Sequence, residues 1–233
     1  MIRPLTSFSL SLSEVAHLVG AEFDSQNNLQ ITGVAQRDSE IESGDIFLAF
    51  PGAKVHGAQF SDVAKKNGAV AILTDAEGAA LATSLPVIVV ADVRVAGAIV
   101  ASSLYKDPTR DLRSIGITGT NGKTTVTTLL HQIFQAAGHE SGLIGTVETR
   151  IGSEVIPSTR TTPEAADIQA LAAAMRERHM RHLVMEVSSH AIALHRVQGA
   201  HFAFVGFTNL TQDHLDFHGD IENYFATKAA LFT

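Results

Sequence analysis

In the first half of the chain, short apolar runs alternate with segments of helical periodicity. The apolar runs are bounded by Gly, Asp or Pro, which is typical of strands, and they read ITGVAQRDS, GDIFLAF, GAVAILTD and LPVIVVAD. Two segments between and after them, HGAQFSDVAKKNG and VRVAGAIVASSLY, carry their apolar residues at helical spacing. This alternation predicts a small α/β domain.

The second half of the chain shows the same alternation with longer elements. A β-branched run in SIGIT leads into glycines, and a helical apolar pattern follows until Gly138. Further strands are predicted in HLVMEVSS and FAFVGFTNL, with a helix in PEAADIQALAAAMRERH before the first of them. Strand and helix alternation of this kind predicts a mostly parallel sheet that is covered on both faces.

A charged stretch that contains proline, Tyr105–Ser114, lies between the two halves and is typical of a linker. We therefore predict an N-terminal domain over residues 1–108 and a central domain over residues 112–233. The chain ends in YFATKAALFT, an amphipathic helical pattern without a capping glycine or a polar tail. We expect the chain to be an incomplete part of a longer protein.

Composition narrows the class of protein. The 233 residues are 45% hydrophobic and 18% charged, as in folded globular proteins. The net charge of −7 argues against general nucleic-acid binding, which needs a basic surface. The absence of cysteine excludes disulfides and cysteine-ligated zinc. The apolar runs are too short to span a bilayer and none resembles a signal peptide, so we expect a cytoplasmic protein without membrane insertion. We also expect a monomer.

The segment ITGTNGKTT has the context of a phosphate-binding loop, with a predicted strand before it and a helix after it. Its spacing differs from the common G-x-x-x-x-G-K-[ST] pattern, because Gly119 precedes Gly122 by only three residues. The backbone N–H groups of such a turn bind phosphate, Lys123 neutralises phosphate charge, and the Thr124 hydroxyl is expected to ligate Mg²⁺. An ordinary β–α turn is the alternative. The predicted nucleotide-binding residues are Gly119, Thr120, Asn121, Gly122, Lys123, Thr124 and Thr125.

The segment MEVSSHA places polar residues at the end of a predicted strand. Because the carboxyl ends of parallel strands share one edge of a sheet, Glu186 is expected beside the phosphate loop, where it is a candidate Mg²⁺ ligand. A solvated acid at a strand end is the alternative. The neighbours Ser188, Ser189 and His190 favour a site, since a buried strand would ordinarily continue with apolar residues.

A second polar cluster follows the last predicted strand, in FTNLTQDHLDFHG. Imidazole and carboxylate groups together suit a divalent ion, although histidines in a loop also serve structural roles. A zinc hydrolase is disfavoured because the sequence has no H-E-x-x-H helix. The cluster contains Asn209, Asp213, His214, Asp216 and His218.

Three further polar residues lie at or near predicted helices. Thr162 precedes Pro163, the expected first residue of a helix, and is predicted to cap that helix or to help receive an anion there. Arg196 is either a solvated loop cation or a ligand of an anionic substrate. Lys228 lies on the apolar side of its predicted helix, where a lysine usually snorkels to solvent; otherwise it is chemically special.

Six segments occur in the order seen in the Mur ligases: GITGTNGKTT, TTPEA, MEVSSHA, HRV, FTNLTQDHLDFHG and YFATKAALF. The chain resembles this family through essentially its whole second half, and GVAQRDSEIESGDIFLAFPGAKVHGAQF is similar to the family's uridine-binding domain. The family loop G-T-N-G-K-[ST] accounts for the spacing of Gly119. The resemblance implies a small UDP-binding domain, a central ATPase domain, and an ADP-forming ligase of peptidoglycan synthesis. Its implied reaction joins a diamino acid, meso-diaminopimelate or L-lysine, to UDP-MurNAc-L-Ala-D-Glu through an acyl phosphate.

The resemblance also implies roles for individual residues. The loop would hold ATP, and Thr124, Glu186 and His214 would serve Mg²⁺ directly or through water. Lys228 matches a lysine that the family carbamoylates with CO₂, which would make it an anionic ligand of a second Mg²⁺. The implied catalytic residues are Lys123, Glu186, His214 and Lys228. The implied residues for the muramoyl dipeptide are Thr161, Thr162, Ser188 and Arg196, and those for uridine diphosphate are Arg37, Ser39, Ala53, Lys54 and Val55.

Two positions depart from the family pattern. Glu40 follows Ser39 where the family usually has arginine, which weakens the uridine assignment, and Leu194 replaces a substrate-binding glutamine of some members. The family's third domain, which carries the amino-acid pocket, is absent from these residues, so the diamino acid stays open and we expect the chain alone to be inactive. A ligase similar to folylpolyglutamate synthase and a non-catalytic nucleotide-binding module are the alternatives. A P-loop kinase or GTPase is disfavoured by the loop spacing and by the absence of N-K-x-D.

Overall fold

The computed structural model describes residues 2–23, 29–52, 54–82 and 84–233. Ala53, one of the residues expected at uridine diphosphate, lies outside the described residues. The chain forms two compact units, the first from Thr6–Lys106 and the second from Asp107–Thr233 together with Ile2–Leu5. Both units combine helices with parallel sheets, which confirms the predicted α/β class. The domain boundaries at 108 and 112 stay predictions.

The first unit is built around a parallel sheet with the strand order β3-β4-β5-β6. Its strands are β1 (Leu10–Ser11), β2 (Gln30–Ile31), β3 (Gly33–Ala35), β4 (Asp45–Ala49), β5 (Ala71–Thr74) and β6 (Val87–Val89). Its α-helices are α1 (Leu12–Leu18), α2 (Ser61–Asn67), α3 (Ala76–Leu81) and α4 (Val93–Leu104). Short 3₁₀ helices cover Asp38–Glu40 and Gly57–Phe60, and β1 pairs with β2 in an antiparallel ribbon.

The middle strands of this sheet are buried along their whole length. Every residue of β4 and of β5 is buried, as their continuous apolar runs predict for the centre of a parallel sheet. Parallel pairing places the residues that follow β3, β4, β5 and β6 at one edge of the sheet, where ligands bind in folds of this kind.

The second unit is built around a larger mixed sheet with the strand order β10-β9-β8-β11-β7-β12. Its strands are β7 (Ile115–Thr118), β8 (Ser141–Ile144), β9 (Glu148–Ile151), β10 (Glu154–Pro157), β11 (His182–Glu186) and β12 (Phe204–Phe207). Its α-helices are α5 (Pro108–Asp111), α6 (Lys123–Ala136), α7 (Ala165–Glu177), α8 (Ser189–Ala193), α9 (Leu215–His218) and α10 (Ile221–Ala229), and a 3₁₀ turn covers Ala230–Phe232.

Helices α6 and α7 cover opposite faces of the parallel part of this sheet. The hydroxyl of Ser141 on β8 is 2.8 Å from Nδ1 of His131 on α6. A Cβ on the next residue, Gly142, would lie 2.3 Å from Sδ of Met175 on α7. Because successive strand residues point to opposite faces, the two helices lie on different sides. The predicted sheet with two covered faces is confirmed here.

Two details differ from the sequence prediction. Helix α7 begins at Ala165 with Glu164 as its N-cap, so the predicted cap at Thr162 is wrong. The strands β9 and β10 form an antiparallel hairpin that extends the parallel sheet and was not predicted. Its turn contains Gly152 with φ of +64°, followed by Ser153, and a Gly-Ser pair between strand-like runs is a hairpin signal.

Within the described residues, no helix combines the length and the apolar character needed to cross a membrane.

Candidate active site

The phosphate-binding motif forms the turn between β7 and α6. Gly119 and Gly122 have φ of +137° and +83°, values that side chains disfavour. The turn is tied to the segment after β12: the N–H of Thr120 donates to the Asn209 carbonyl at 2.9 Å, and the N–H of Asn121 donates to Asn209 Oδ1 at 3.0 Å. The loop predicted from the sequence is therefore a turn held by hydrogen bonds at the carboxyl edge of the sheet. Helix α6 begins directly after it.

The two lysines predicted at the site converge on one carbonyl oxygen. Nζ of Lys123 donates to the carbonyl oxygens of Gly119 at 2.9 Å and Thr120 at 3.0 Å. Nζ of Lys228, on α10, donates to the same Gly119 oxygen at 2.9 Å. The structure thus brings these two cations together, although they are 105 residues apart in the sequence.

Lys228 is buried, with 1% of its surface exposed, and its Nζ lies 4.5 Å from the centre of the Tyr224 ring. Burial, and then the charge of Lys123, lower the pKa of Lys228 to about 8. The pKa of Lys123 is also lowered by burial, against the opposing charges of Glu186 and Asp213. The alternative of a snorkelling Lys228 is wrong, because its ammonium group points into the protein.

Glu186 ends strand β11 beside the phosphate loop, as predicted from the shared edge of parallel strands. Its side chain is buried, with 1% exposed. Oε2 accepts hydrogen bonds from the hydroxyls of Thr124 at 2.9 Å and Thr146 at 3.0 Å, and Oε1 accepts one from the N–H of Thr146 at 2.8 Å. The Thr124 hydroxyl and the Glu186 carboxylate thus lie side by side, and oxygen atoms of this kind are the ligands that Mg²⁺ prefers.

The residues expected at the muramoyl dipeptide lie next to Glu186. Thr162 is buried; its hydroxyl donates to the Glu186 carbonyl at 2.9 Å and accepts from the Ser188 N–H at 3.1 Å. Ser188 caps α8 by accepting from the Ala191 N–H. The hydroxyl of Thr161 is 3.1 Å from that of Thr146. The structure therefore gathers Thr161, Thr162 and Ser188 around the end of β11.

Arg196 is held by a carboxylate of the same region. Its Nε lies 3.0 Å from Oε1 of Glu164, which also accepts from Arg160. Glu164 is buried, so this acid orients both guanidinium groups at the N-terminus of α7. The pair of arginines leaves positive charge close to Thr162.

His214 contacts Asp213 and His190 rather than the threonines that surround Glu186. It has φ of +52° and precedes α9, its N–H donates to Oδ1 of Asp213 at 2.9 Å, and its ring is 4.7 Å from that of His190. The ring of His218 is 5.6 Å from that of His190. Burial lowers the pKa values of both His190 and His218, and the nearby His214 lowers them further, which favours neutral imidazoles at neutral pH.

Over the described ranges, no group of three or more His, Asp or Glu side chains is close enough to hold a metal ion. The predicted Mg²⁺ set of Thr124, Glu186, His214 and Lys228 mixes hydroxyl, carboxylate, imidazole and lysine groups. The structure brings Thr124 and Glu186 into contact, whereas His214 packs against His190. The full set therefore stays a prediction.

The residues expected at uridine diphosphate lie in the first unit, after β3 and β4. Arg37 precedes the 3₁₀ turn Asp38–Glu40, and its guanidinium donates to Oε1 of Glu40 at 2.8 Å. Ser39, Lys54 and Val55 are exposed. These positions lie at the carboxyl edge of the sheet, and the Glu40 that departs from the family pattern is the partner of Arg37.

Two residues of the site were not predicted from the sequence. Thr146 holds both carboxylate oxygens of Glu186. Tyr224 is buried between the lysine and the loop, and its hydroxyl is 3.2 Å from that of Thr120. Helical spacing could have indicated Tyr224, which lies four residues before Lys228 on the same face. No local signal marks Thr146, because its contact depends on the pairing of β8 with β11.

Two family models match the chain. The model described as "Mur ligase middle domain" matches residues 117–233, half of the chain, and the model described as "Mur ligase family, catalytic domain" matches residues 30–105. A UDP-N-acetylmuramoyl-L-alanyl-D-glutamate--2,6-diaminopimelate ligase of Streptomyces avermitilis is 48% identical over 99% of this chain and 46% of its own length. The chain thus spans about half the length of the curated relatives it matches.

Solved structures agree with the family models. A structure of a UDP-N-acetylmuramoyl-L-alanyl-D-glutamate--2,6-diaminopimelate ligase superposes with a TM-score of 0.75 at 27% identity, over 96% of this chain and 45% of that chain. A MurF ligase from Thermotoga maritima, solved in complex with ADP, has the same fold, with a TM-score of 0.55 at 20% identity over 84% of this chain and 42% of that chain. By sequence and by fold, the chain belongs to the Mur ligase family.

Proposed function

We propose that the protein is an ATP-dependent, ADP-forming amide ligase that joins a diamino acid to UDP-MurNAc-L-Ala-D-Glu. One observation carries the proposal: the Thr124 hydroxyl bonds to the buried Glu186 carboxylate at a phosphate loop whose Gly119 carbonyl receives both Lys123 and Lys228. The name of the Streptomyces avermitilis relative supports diaminopimelate as the diamino acid, with L-lysine as the alternative.

ATP binds to the turn between β7 and α6 in this proposal. The N–H groups of the segment 119–125 and the N-terminus of α6 surround the β- and γ-phosphates. Nζ of Lys123 leaves the Gly119 and Thr120 carbonyls and donates to phosphate oxygens, which are stronger acceptors because they are charged. The same side chain then stabilises the charge that moves onto the leaving ADP.

Thr124 and Glu186 are the groups that would hold Mg²⁺, with His214 contributing directly or through water. When bound, Mg²⁺ neutralises phosphate charge and fixes the orientation of the γ-phosphate. Glu186 is suited to this role because its carboxylate is fixed by three hydrogen bonds, from Thr124 and Thr146.

Lys228 would add a second anionic ligand after carbamoylation. Its neutral amine attacks the carbon of CO₂, an N–C bond forms, and a proton leaves to solvent. The lowered pKa of Lys228, caused first by burial, raises the fraction of neutral amine near neutral pH. The resulting carbamate is anionic. It therefore replaces the positively charged ammonium group that donates to the Gly119 carbonyl in this structure.

The proposed chemistry has two steps. A carboxylate oxygen of the D-Glu residue attacks the γ-phosphorus, the bond to ADP breaks, and an acyl phosphate forms. The amine of the diamino acid then attacks the acyl carbon, a C–N bond forms, and phosphate leaves with the carboxylate oxygen while the amine loses a proton. Thr161, Thr162, Ser188 and Arg196 orient the muramoyl dipeptide, and Arg37, Ser39 and the 53–55 loop bind uridine diphosphate.

The cytoplasmic location, the monomeric state and the absence of nucleic-acid binding stay predictions. Analytical ultracentrifugation of the purified protein tests the monomeric state directly.

Phosphate release by the full-length protein tests the proposed function. We expect phosphate from ATP only when UDP-MurNAc-L-Ala-D-Glu and a diamino acid are both supplied. Parallel reactions with meso-diaminopimelate and with L-lysine identify the amino acid. Turnover with a folate and glutamate instead would favour the folylpolyglutamate-synthase alternative, and ATP binding without any turnover would favour a non-catalytic module.

A further inference from the structure

The turn after β8 forms a cradle for the Glu186 carboxylate. The N–H of Thr146 donates to Oε1 at 2.8 Å and its hydroxyl donates to Oε2 at 3.0 Å, so one residue contacts both oxygens. The preceding residue is Gly145, and a Cβ there would lie 2.7 Å from Oε1. A side chain at residue 145 would therefore have to displace Oε1 from its present position.

The carboxylate needs such external support, because the terminal torsion of a glutamate side chain is broad and nearly two-fold. Hydrogen bonds rather than rotamer preference set the plane of the group. Thr124 contributes one bond, to Oε2 at 2.9 Å. The other two bonds both come from Thr146, so this residue does most to fix the plane.

The hydroxyl of Thr146 also reaches a second group of the site. It lies 3.1 Å from the hydroxyl of Thr161, but a hydroxyl carries a single hydrogen and can donate to only one acceptor at a time. The Thr146 hydroxyl is the donor in both contacts, so Thr161 and Glu186 compete for its one hydrogen, and the charged carboxylate is the stronger acceptor. The bond from the Thr146 N–H to Oε1 does not depend on this competition.

We propose that Thr146 is a positioning residue that fixes the Glu186 carboxylate in the orientation required to hold the divalent ion. This inference rests on the proposed function, since it concerns the metal that accompanies ATP. Thr146 acts through Glu186 and is itself exposed. A Val side chain at this position keeps the branched shape and removes the hydroxyl, whereas Ser keeps the hydroxyl.

Binding of Mn²⁺, followed by electron paramagnetic resonance, tests the proposal in the full-length protein with a non-hydrolysable ATP analogue. We expect Thr146→Val to weaken Mn²⁺ binding by about 10-fold or more, the range found when a partner of a metal ligand is removed, and Thr146→Ser to stay within about 3-fold of the parent. Thr149→Val is the matched control. It removes a threonine hydroxyl from the adjacent strand β9, where the partner is Ser158 at 3.4 Å.

A second variant approaches the same carboxylate from the other side. Gly145→Ala places a methyl group against Oε1 and is expected to weaken Mn²⁺ binding while the Thr146 hydroxyl remains. Thermal unfolding of every variant shows whether a loss of binding reflects a loss of folded protein. A purely structural role of Thr146 would lower the unfolding temperature and leave the Mn²⁺ affinity of the folded protein unchanged.

The outcomes separate this proposal from the proposed function. If the parent protein binds Mn²⁺ with the ATP analogue and folded Thr146→Val binds it equally well, the positioning role is wrong and the proposed ligase function is unaffected. If the parent binds no Mn²⁺ in the presence of the analogue, the metal site itself is wrong, and the positioning role is overturned with it.

Discussion

At the residue scale, the chemistry of Lys228 follows from its burial. Its Nζ is surrounded by the Gly119 carbonyl and the Tyr224 ring rather than by solvent. Burial, followed by the charge of Lys123, lowers its pKa to about 8. A buried lysine with a lowered pKa is a nucleophile near neutral pH, which is the property that the proposed carbamoylation by CO₂ requires.

We expect Lys228→Ala to lower kcat by about 100-fold or more, the scale seen when a group that stabilises transition-state charge is removed. Acetate or another short carboxylic acid should restore part of the activity, because it can occupy the space of the carbamate. Steady-state phosphate release with increasing acid measures the rescue. Lys66→Ala, at an exposed lysine of α2, is the control. Full loss without rescue by any short acid would leave Lys228 with a packing role only.

The pKa of Lys228 also predicts how stability depends on pH. Between about 8 and the ordinary value of 10.5, the unfolded chain binds more protons than the folded one. The contribution of Lys228 to the free energy of unfolding therefore rises with pH through this window, while below pH 8 the full cost of burying the charge remains. The size over the whole window is on the order of 3 kcal/mol.

Urea unfolding of the parent and of Lys228→Met, in buffers freed of CO₂, measures this contribution. The parent should gain stability relative to the variant as pH rises from 8 to 10.5. A difference between the two proteins that stays constant over this range would contradict the lowered pKa.

Part of the site could be predicted residue by residue. The loop motif predicted Lys123 and Thr124, and the shared edge of parallel strands predicted that Glu186 lies beside them. Thr146 could not be predicted, because its contact with Glu186 joins residues 40 apart through strand pairing. The cap at Thr162 was predicted from the preference of proline for the first helical turn, but Glu164 occupies the N-cap position, without a side-chain capping bond, and Thr162 bonds to the end of β11 instead.

At the scale of elements, the phosphate loop depends on glycine for two separate reasons. Gly119 has φ of +137°, and a Cβ there would lie 2.0 Å from the Thr208 hydroxyl. Gly138, after α6, has φ of +75° but open space around its Cα. A side chain at Gly119 would meet both backbone strain and a steric clash, whereas a side chain at Gly138 would meet backbone strain alone.

This contrast supplies a matched pair of variants. We expect Gly119→Ala to weaken binding of an ATP analogue by at least about 10-fold, since the loop must move to relieve the contact. Gly138→Ala should lower the free energy of unfolding by about 1 kcal/mol and leave nucleotide affinity unchanged. Isothermal titration calorimetry and urea unfolding measure the two effects. Equal nucleotide affinity in both variants would show that the loop does not contact the nucleotide as proposed.

The order of strands and helices was largely predictable, whereas the orientation of α6 was not. Its apolar pattern predicts the helix, yet Leu129 and Ile133 are 51% and 61% exposed, while Thr127 and His131 are buried. The polar pair is satisfied locally, by carbonyls of the first turn and by Ser141. Periodicity alone treats buried polar residues as a solvent face, so it cannot indicate which side of α6 meets the sheet.

At the scale of the whole molecule, two α/β units in one chain carry the two halves of the proposed substrate binding. The first unit presents Arg37 and Ser39 at the carboxyl edge of its sheet, and the second holds the phosphate loop at the corresponding edge of its own sheet. Family membership supports this division. The proposed roles of both units depend on one claim, that the γ-phosphate of ATP is transferred to a carboxylate of the substrate.

Oxygen-isotope transfer tests that claim most directly. UDP-MurNAc-L-Ala-D-Glu labelled with ¹⁸O in the D-Glu carboxylates is incubated with ATP, the diamino acid and the full-length protein, and the released phosphate is analysed by mass spectrometry. An acyl phosphate requires one oxygen of the attacking carboxylate to leave in each phosphate, so labelled phosphate should appear in step with the amide product. Unlabelled phosphate, with its fourth oxygen taken from water, would contradict transfer to the carboxylate and would indicate hydrolysis of ATP instead.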